Sequence, residues 1–338
     1  MYNPFQLRSM SFPFVTFSRN VFIPLTNICR NKCGYCGFRR DIGHLEAKLL
    51  TPDEVRDIIS RGARAGCSEA LFTFGEHPEE VPGFNKWLFD LGYDTIIDYL
   101  VELCKLSISF GLLPHSNPGI LERSDFEKLK PYNASMGLML ETTASVKGHE
   151  GCAGKIPETR IRTIEYAGEL NIPFTTGILV GIGETWEDRM RSLHKIKELH
   201  DKFGHIQEVI IQNFIPKPGT RMASYKGPGI EDMKKTVSMA KQLLPADIAI
   251  QVSPNLISPR ELIKCGASDL GGISPETIDY INPESPWPNL LELRYMADVP
   301  LRERLPLYPK YIKEGWYSAE LKHLINSLSD AEGFRKTY

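Results

Sequence analysis

Three cysteines, Cys29, Cys33 and Cys36, stand in a Cys-x3-Cys-x2-Cys run within Thr26-Asn27-Ile28-Cys29-Arg30-Asn31-Lys32-Cys33-Gly34-Tyr35-Cys36. Thiolates this close in sequence can each take one iron of a cubane iron–sulfur cluster. No fourth cysteine is near, so one iron keeps an open position for another ligand. The competing metal is zinc, whose structural sites want four ligands. His44, eight residues on, is the nearest candidate, and no second cysteine pair follows. A zinc-binding scaffold is therefore the weaker reading. Cys67, Cys104, Cys152 and Cys265 have no motif spacing and read as core packing, with Cys152 alone in a loop-like Gly-rich stretch.

Such a cluster needs a frame to hold it, and 338 residues with 42% apolar content suit one large α/β barrel. A net charge of −2 leaves no electrostatic footprint for nucleic acid. No run approaches 18 apolar residues, so nothing reads as spanning a membrane. The N-terminal Phe12-Pro13-Phe14-Val15 stretch lacks the long apolar run of a signal peptide. Seven cysteines, an odd number with three clustered, do not read as a disulfide framework. The expected compartment is a reducing cytoplasm.

Along the chain, short β-rich apolar runs alternate with helix-length amphipathic segments, the pattern of βα units around a parallel sheet. Strands are expected at 21–24, 69–74, 111–115, 134–140, 174–180, 206–214 and 247–252, with a weaker one at 267–271. Thr51-Pro52-Asp53-Glu54 opens a helix with an N-cap, a proline at the first helical position and acids in the first turn. Further helices are expected over 90–110, over 158–170, after Ser124 as a cap, and over 318–328. The expected architecture is a TIM-type (β/α) barrel, complete or nearly so, over 20–288. An extension at 1–19 precedes it, and one at 289–338, carrying the tail helix, follows.

In such barrels the chemistry sits at the carboxyl ends of the strands. The unusual residues fall there: the cysteines after the first strand, Gly75-Glu76 after the second, and His115-Ser116-Asn117 after the third. Glu141 follows the fourth and Gly181-Ile182-Gly183-Glu184 the fifth. His115 and Asn117 are expected to face the mouth as candidate catalytic or substrate-binding residues.

The cysteine spacing, with Tyr35 before the third cysteine, resembles the signature of radical S-adenosylmethionine (SAM) enzymes, whose [4Fe-4S] cluster chelates SAM at its open iron. The resemblance implies that Gly75-Glu76 receives the SAM amino group and that Glu141 contacts SAM. Arg160, 21 residues before Gly181, matches the arginine that pairs with the SAM carboxylate in biotin-synthase-like relatives, with Arg162 a near competitor. The Gly181 strand matches the one that lines the adenine.

Longer strings are more specific. Asn20 to Phe38, Glu69 to Glu76, His115 to Gly119, Asn133 to Thr143, Gln212 to Thr220 and Gly266 to Pro275 resemble the CofG-type subunit of 7,8-didemethyl-8-hydroxy-5-deazariboflavin (FO) synthase. That resemblance implies an ammonia-releasing ring closure in deazaflavin coenzyme F(420) biosynthesis. It implies a separate CofH-type radical SAM subunit that joins tyrosine's hydroxybenzyl group to a ribitylaminouracil, and a reductant such as ferredoxin or flavodoxin. The rival activities are the CofH-type step itself and the chemistry of biotin-synthase or hydrogenase-maturase relatives.

Overall fold

The computed structural model describes residues 14–336. Nine strands form one all-parallel sheet: β1 Val15–Ile23, β2 Glu69–Thr73, β3 Leu113–Asn117, β4 Ser135–Gly137, β5 Phe174–Val180, β6 Ile206–Asn213, β7 Ala249–Gln251, β8 Asp269–Ile273 and β9 Leu301–Glu303. β1 pairs with both β2 and β8, which closes β1 to β8 into a barrel, while β9 adds to the start of β1. The helices between them are α1 Pro52–Arg64, α2 Phe84–Asp90, α3 Ile96–Ser109, α4 Arg123–Leu129, α5 Pro157–Glu169, α6 Trp186–Phe203, α7 Ile230–Leu243 and α8 Pro259–Lys264. α9 Leu290–Ala297, α10 Pro309–Glu314 and α11 Ala319–Leu328 follow the barrel.

Strand alternation assigns the two faces. Val21 lies against Gly62 of α1, where a Cβ would meet the valine side chain, so Thr16, Ser18 and Asn20 point into the lumen. Phe72, Ile211 and Ile250 face the helices and are at most 2% exposed. The helix-facing residues form one continuous apolar core.

Several boundaries differ from expectation. β1 starts at Val15, not at 21, so residues 15–19 belong to the barrel wall and not to an extension; residues 1–13 lie outside the described ones. The inward Thr16, Ser18 and Asn20 break the apolar signal that marks a buried strand. β3 is shifted two residues on, which puts His115 inside the strand and Asn117 at its last residue. Ser124 does not cap α4; Glu122 does, through a reciprocal pair with Asp125. The 289–338 segment is not a mere appendage. Arg304 enters the amino-terminal end of the lumen, and Leu305, Leu307, Tyr308 and Tyr311 pack beneath it with Leu113 and Ala134.

Arg304, 4% exposed, spans the floor of the barrel. Its Nε and Nη2 donate to Asp269 at 2.6 and 2.9 Å, and Nη2 also donates to Glu208 at 2.9 Å. Ser18 donates to Glu69 at 2.5 Å and Thr175 to Glu208 at 2.9 Å. Above this floor the lumen is hollow. The inward positions Leu71, Thr73, Asn117, Leu179, Ile210, Gln212, Gln251 and Ser253 are only half-buried, whereas the usual barrel of this type packs its centre with side chains.

Candidate active site

The cysteine loop leaves β1 and is pinned on both sides. Gly75 N–H donates to Thr26 O at 2.9 Å, Arg30 N–H to Glu76 O at 3.0 Å, and Gly34 N–H to Gly148 O at 2.7 Å. Met222 N–H donates back to Gly34 O at 2.9 Å, which ties in the segment after β6. Glycine is required at position 75, because a Cβ there would overlap the Ile28 carbonyl. That close approach lets Glu76 N–H donate to Cys29 Sγ at 3.3 Å.

The donor set suits a cluster better than zinc. Among the described residues no three His, Cys, Asp or Glu side chains converge on a single-ion position, which a zinc knuckle requires. His44 is exposed, and its Nδ1 accepts from Glu46 N–H at 3.1 Å, away from the thiols. Burial pushes the Cys29 thiol up, and Cys33 is raised by its hydrogen bond to Cys152 and then by burial. Desolvated thiolates need cationic partners, which cluster irons would provide. All seven cysteines are free thiols.

Beside the loop, Glu76, Glu141 and Arg160 come together as expected. Arg160 is 3% exposed; its Nη1 lies 3.4 Å from Glu76 and its Nη2 3.8 Å from Glu141. Its Nε and Nη1 also donate to Met139 O at 2.6 Å and Gly154 O at 2.7 Å, so backbone fixes the guanidinium plane. Arg162, by contrast, points outward, pairing with Glu165 and lying 4.3 Å over the Tyr166 ring.

Glu141 carries a positive φ of 66° and a single bridge to Ile178, which turns its carboxylate inward at the end of the fourth βα unit. Lys155 and Tyr35 donate to it, and His149 Nε2 lies 3.2 Å away. Burial alone would raise this carboxyl, but Lys155, His149 and Arg160 hold it well below the usual range. Tyr35 is pushed up by burial and then by Glu141. Lys155, His149 and Asn31 were not legible as site residues: they lie in irregular loops with no periodicity. Asn31 Nδ2 donates to Glu76 at 2.8 Å, and its Oδ1 accepts from Gly154 N–H at 3.0 Å.

Gly181 follows β5 with φ 100°, and the Gly181 and Ile182 N–H groups both donate to Glu184 at 2.8 Å. Glu184 therefore holds its own turn. His115 and Asn117 come together in the lumen, but His115 is not at the mouth. It is 6% exposed, with Nδ1 2.6 Å from Ser135 Oγ and Nε2 3.1 Å from the Asn117 amide. Ser135 donates to Pro306 O at 2.7 Å, and Asn117 turns its Oδ1 to His115 Nε2 while its Nδ2 donates to Thr73 at 3.3 Å. Burial pushes His115 down to about 4, so the ring is neutral.

Residues 23–196 match the model of the radical SAM superfamily. The chain is 61% identical over 324 residues to 7,8-didemethyl-8-hydroxy-5-deazariboflavin synthase of Methanococcoides burtonii, covering 96% of this chain and 98% of that protein. The chain belongs to the FO synthase family of radical SAM enzymes. The Archaeoglobus fulgidus FO synthase is 51% identical, covering 95% and 99% of the two chains. In fold, this family member resembles the [FeFe]-hydrogenase maturase HydG, with a TM-score of 0.69 and 19% identity over 93% of this chain and 70% of that one. It also resembles methylornithine synthase (PylB), with a TM-score of 0.60 and 18% identity over 92% and 86%. Radical SAM membership implies a [4Fe-4S] cluster and SAM, and the FO synthase family a reductant and a small-molecule substrate. Among the described residues no helix is long and apolar enough to cross a membrane.

Proposed function

We propose that the chain performs the ring-closing step of FO formation, a carbon–nitrogen lyase reaction. It takes 5-amino-5-(4-hydroxybenzyl)-6-(D-ribitylimino)-5,6-dihydrouracil and SAM to FO, ammonia, methionine and 5′-deoxyadenosine, with SAM consumed as the two-electron oxidant that this ring closure requires. The near-full-length identity to relatives named FO synthase carries this reading. The match runs over 98% of the Methanococcoides relative. The step that joins the tyrosine fragment then falls to a separate CofH-type subunit in the same cytoplasm, and electrons come from a small reductant such as ferredoxin or flavodoxin.

Cys29, Cys33 and Cys36 would hold three irons of the cluster. Glu76 would receive the SAM amino group, Arg160 its carboxylate, and Glu141 and Tyr35 would contact SAM, with Gly181 beside the adenine. When bound, the cluster and SAM supply removal of a hydrogen atom from an unactivated carbon, which no side chain can do. The chain's own residues orient the adduct and keep water away. His115, neutral and engaged at both nitrogens, acts by fixing the Asn117 amide toward the lumen rather than by moving a proton.

Under anaerobic conditions the chain given this adduct, SAM and a reductant should produce the fluorescence of FO. Free tyrosine and 5-amino-6-(D-ribitylamino)uracil should give none without the partner. An unchanged adduct would overturn the assignment, and FO from the free precursors would overturn the division of labour. SAM cleavage alone decides nothing, since the CofH-type, biotin-synthase and maturase chemistries share it.

The SAM contacts have their own test. Arg160→Lys keeps a cation but loses the fork that grips a carboxylate, and should weaken SAM binding about tenfold to a hundredfold with iron content unchanged. Arg162→Ala should leave binding as it is. Equilibrium SAM binding to reconstituted protein reads both, and the opposite pattern would exchange the two roles.

A further inference from the structure

Two carboxamides at the base of the hollow lumen, above Arg304, have hydrogen-bonding capacity that the protein does not use. Asn20 on β1 is 1% exposed, and its Oδ1 has no hydrogen-bond partner among the described residues. Leaving a buried acceptor unpaired costs stability unless a ligand or water fills it. Gln251 on β7 is half-buried, and among the described residues its side-chain amide makes no hydrogen bond.

β8 lies between these two strands and presents Gly271-Gly272. A Cβ on Gly271 would overlap the Gln251 amide nitrogen, and one on Gly272 would overlap the Asn20 amide nitrogen. One carboxamide from each neighbouring strand therefore lies directly over bare backbone. The glycines make room there for amides rather than for packing.

The chemistry at the base of the lumen narrows the ligand. The half-buried walls above it, Leu71, Thr73, Asn117, Ile210 and Gln212, carry no charge. Below, the one guanidinium of Arg304 is already taken up by Asp269 and Glu208. An anionic ligand would lose its hydration here without gaining a counter-charge. Two carboxamides offer donors and acceptors side by side, which complements the alternating C=O, N–H, C=O edge of a pyrimidinedione. A flexible polyol could also satisfy them, but it would lose several rotors on a site whose deepest acceptor is fixed.

We infer that Asn20 and Gln251 are the specificity pair that reads the pyrimidinedione edge of the substrate over Gly271-Gly272. This rests on the ring-closing reading above. It places the edge at the base of the lumen and leaves the reacting end of the molecule toward the cysteine loop.

FO carries the same edge and fluoresces, so its binding to the anaerobically purified holoprotein can be followed by anisotropy. Asn20→Leu and Gln251→Leu should each weaken FO binding about tenfold. FO methylated at N3 should bind the wild type about as weakly, and should lose nothing further in Asn20→Leu. A merely structural asparagine would not give that loss of sensitivity. Iron content and near-ultraviolet circular dichroism matching the wild type show that a variant is folded; if Asn20→Leu is not, Asn20→Ser and Gln251→Leu carry the comparison. Unaltered FO binding in folded variants, beside normal FO formation by the wild type, overturns this assignment alone. So does a loss seen with FO but absent from an analogue bearing methyl in place of the ribityl chain, since the pair would then read the polyol. A wild type that neither binds FO nor forms it overturns the functional reading as well.

Discussion

Alanine in place of any one of Cys29, Cys33 or Cys36 should abolish FO formation and take the anaerobic iron content from about four per chain to near none. Under the three-ligand assignment each thiolate would hold its own iron, and one of them has another thiol beside it. Cys152 is the thiol that faces Cys33, and so the one to test as a competing ligand. The control is therefore Cys152→Ala, which should keep both the iron and the activity. A fourth protein thiolate would close the position that SAM needs, so the two outcomes separate cleanly. Loss of the cluster in Cys152→Ala, or its retention in any one of the other three, would refute the three-ligand assignment. Iron analysis with the visible absorbance spectrum measures all four variants.

What the sequence reveals depends on whether a residue's role is written in local spacing. The cysteine run is local. So is the Thr51 cap, where Thr51 and Glu54 cap each other as the Thr-Pro-Asp-Glu string implies. β2, β5 and β6 match their apolar runs closely, because apolar residues dominate their outward faces: Ala70 and Phe72, Ile178 and Val180, and Val209 and Ile211. The first half of β1 fails for the opposite reason: its inward Thr16 and Ser18 are polar because they donate to Asp269 and Glu69, buried carboxyl groups of the barrel floor. Arg160 over Arg162 is decided by which face of α5 meets Glu76, which spacing between motifs only suggests. Lys155 and His149 reach Glu141 from short irregular turns after β4, where no period marks which residue points inward. Arg304 is the hardest case, since its partners are 35 and 96 residues away and nothing around it forms a motif.

Arg304→Met should destabilise the barrel by about 3–5 kcal/mol near neutral pH, the usual cost of removing one partner from a buried ionic group. Three carboxyl groups, Glu69, Glu208 and Asp269, share the floor with this one guanidinium, and Tyr308 lies against it, 4.3 Å from ring centre to guanidinium carbon. Burial raises Glu208 from its ordinary 4.5 to about 7, with Arg304 opposing and Asp269 adding to the rise; Glu69 is raised by burial too. The sign follows from proton counting. Between those two values the folded state binds more protons than the unfolded chain, so this group's contribution to stability falls as pH rises through the window. Without Arg304 the carboxyls are held still higher, so the fall is deeper and reaches further up in pH. The deficit of Arg304→Met should therefore be larger at about pH 8 than at about pH 5.5. Urea unfolding midpoints of wild type and variant at the two pH values measure it. Adding Glu208→Gln and Asp269→Asn should recover part of the loss at the higher pH, because neutral amides no longer need the cation. An equal deficit at both pH values, with no recovery, would mean that Arg304 serves as packing under the barrel and that the charges on the floor balance without it.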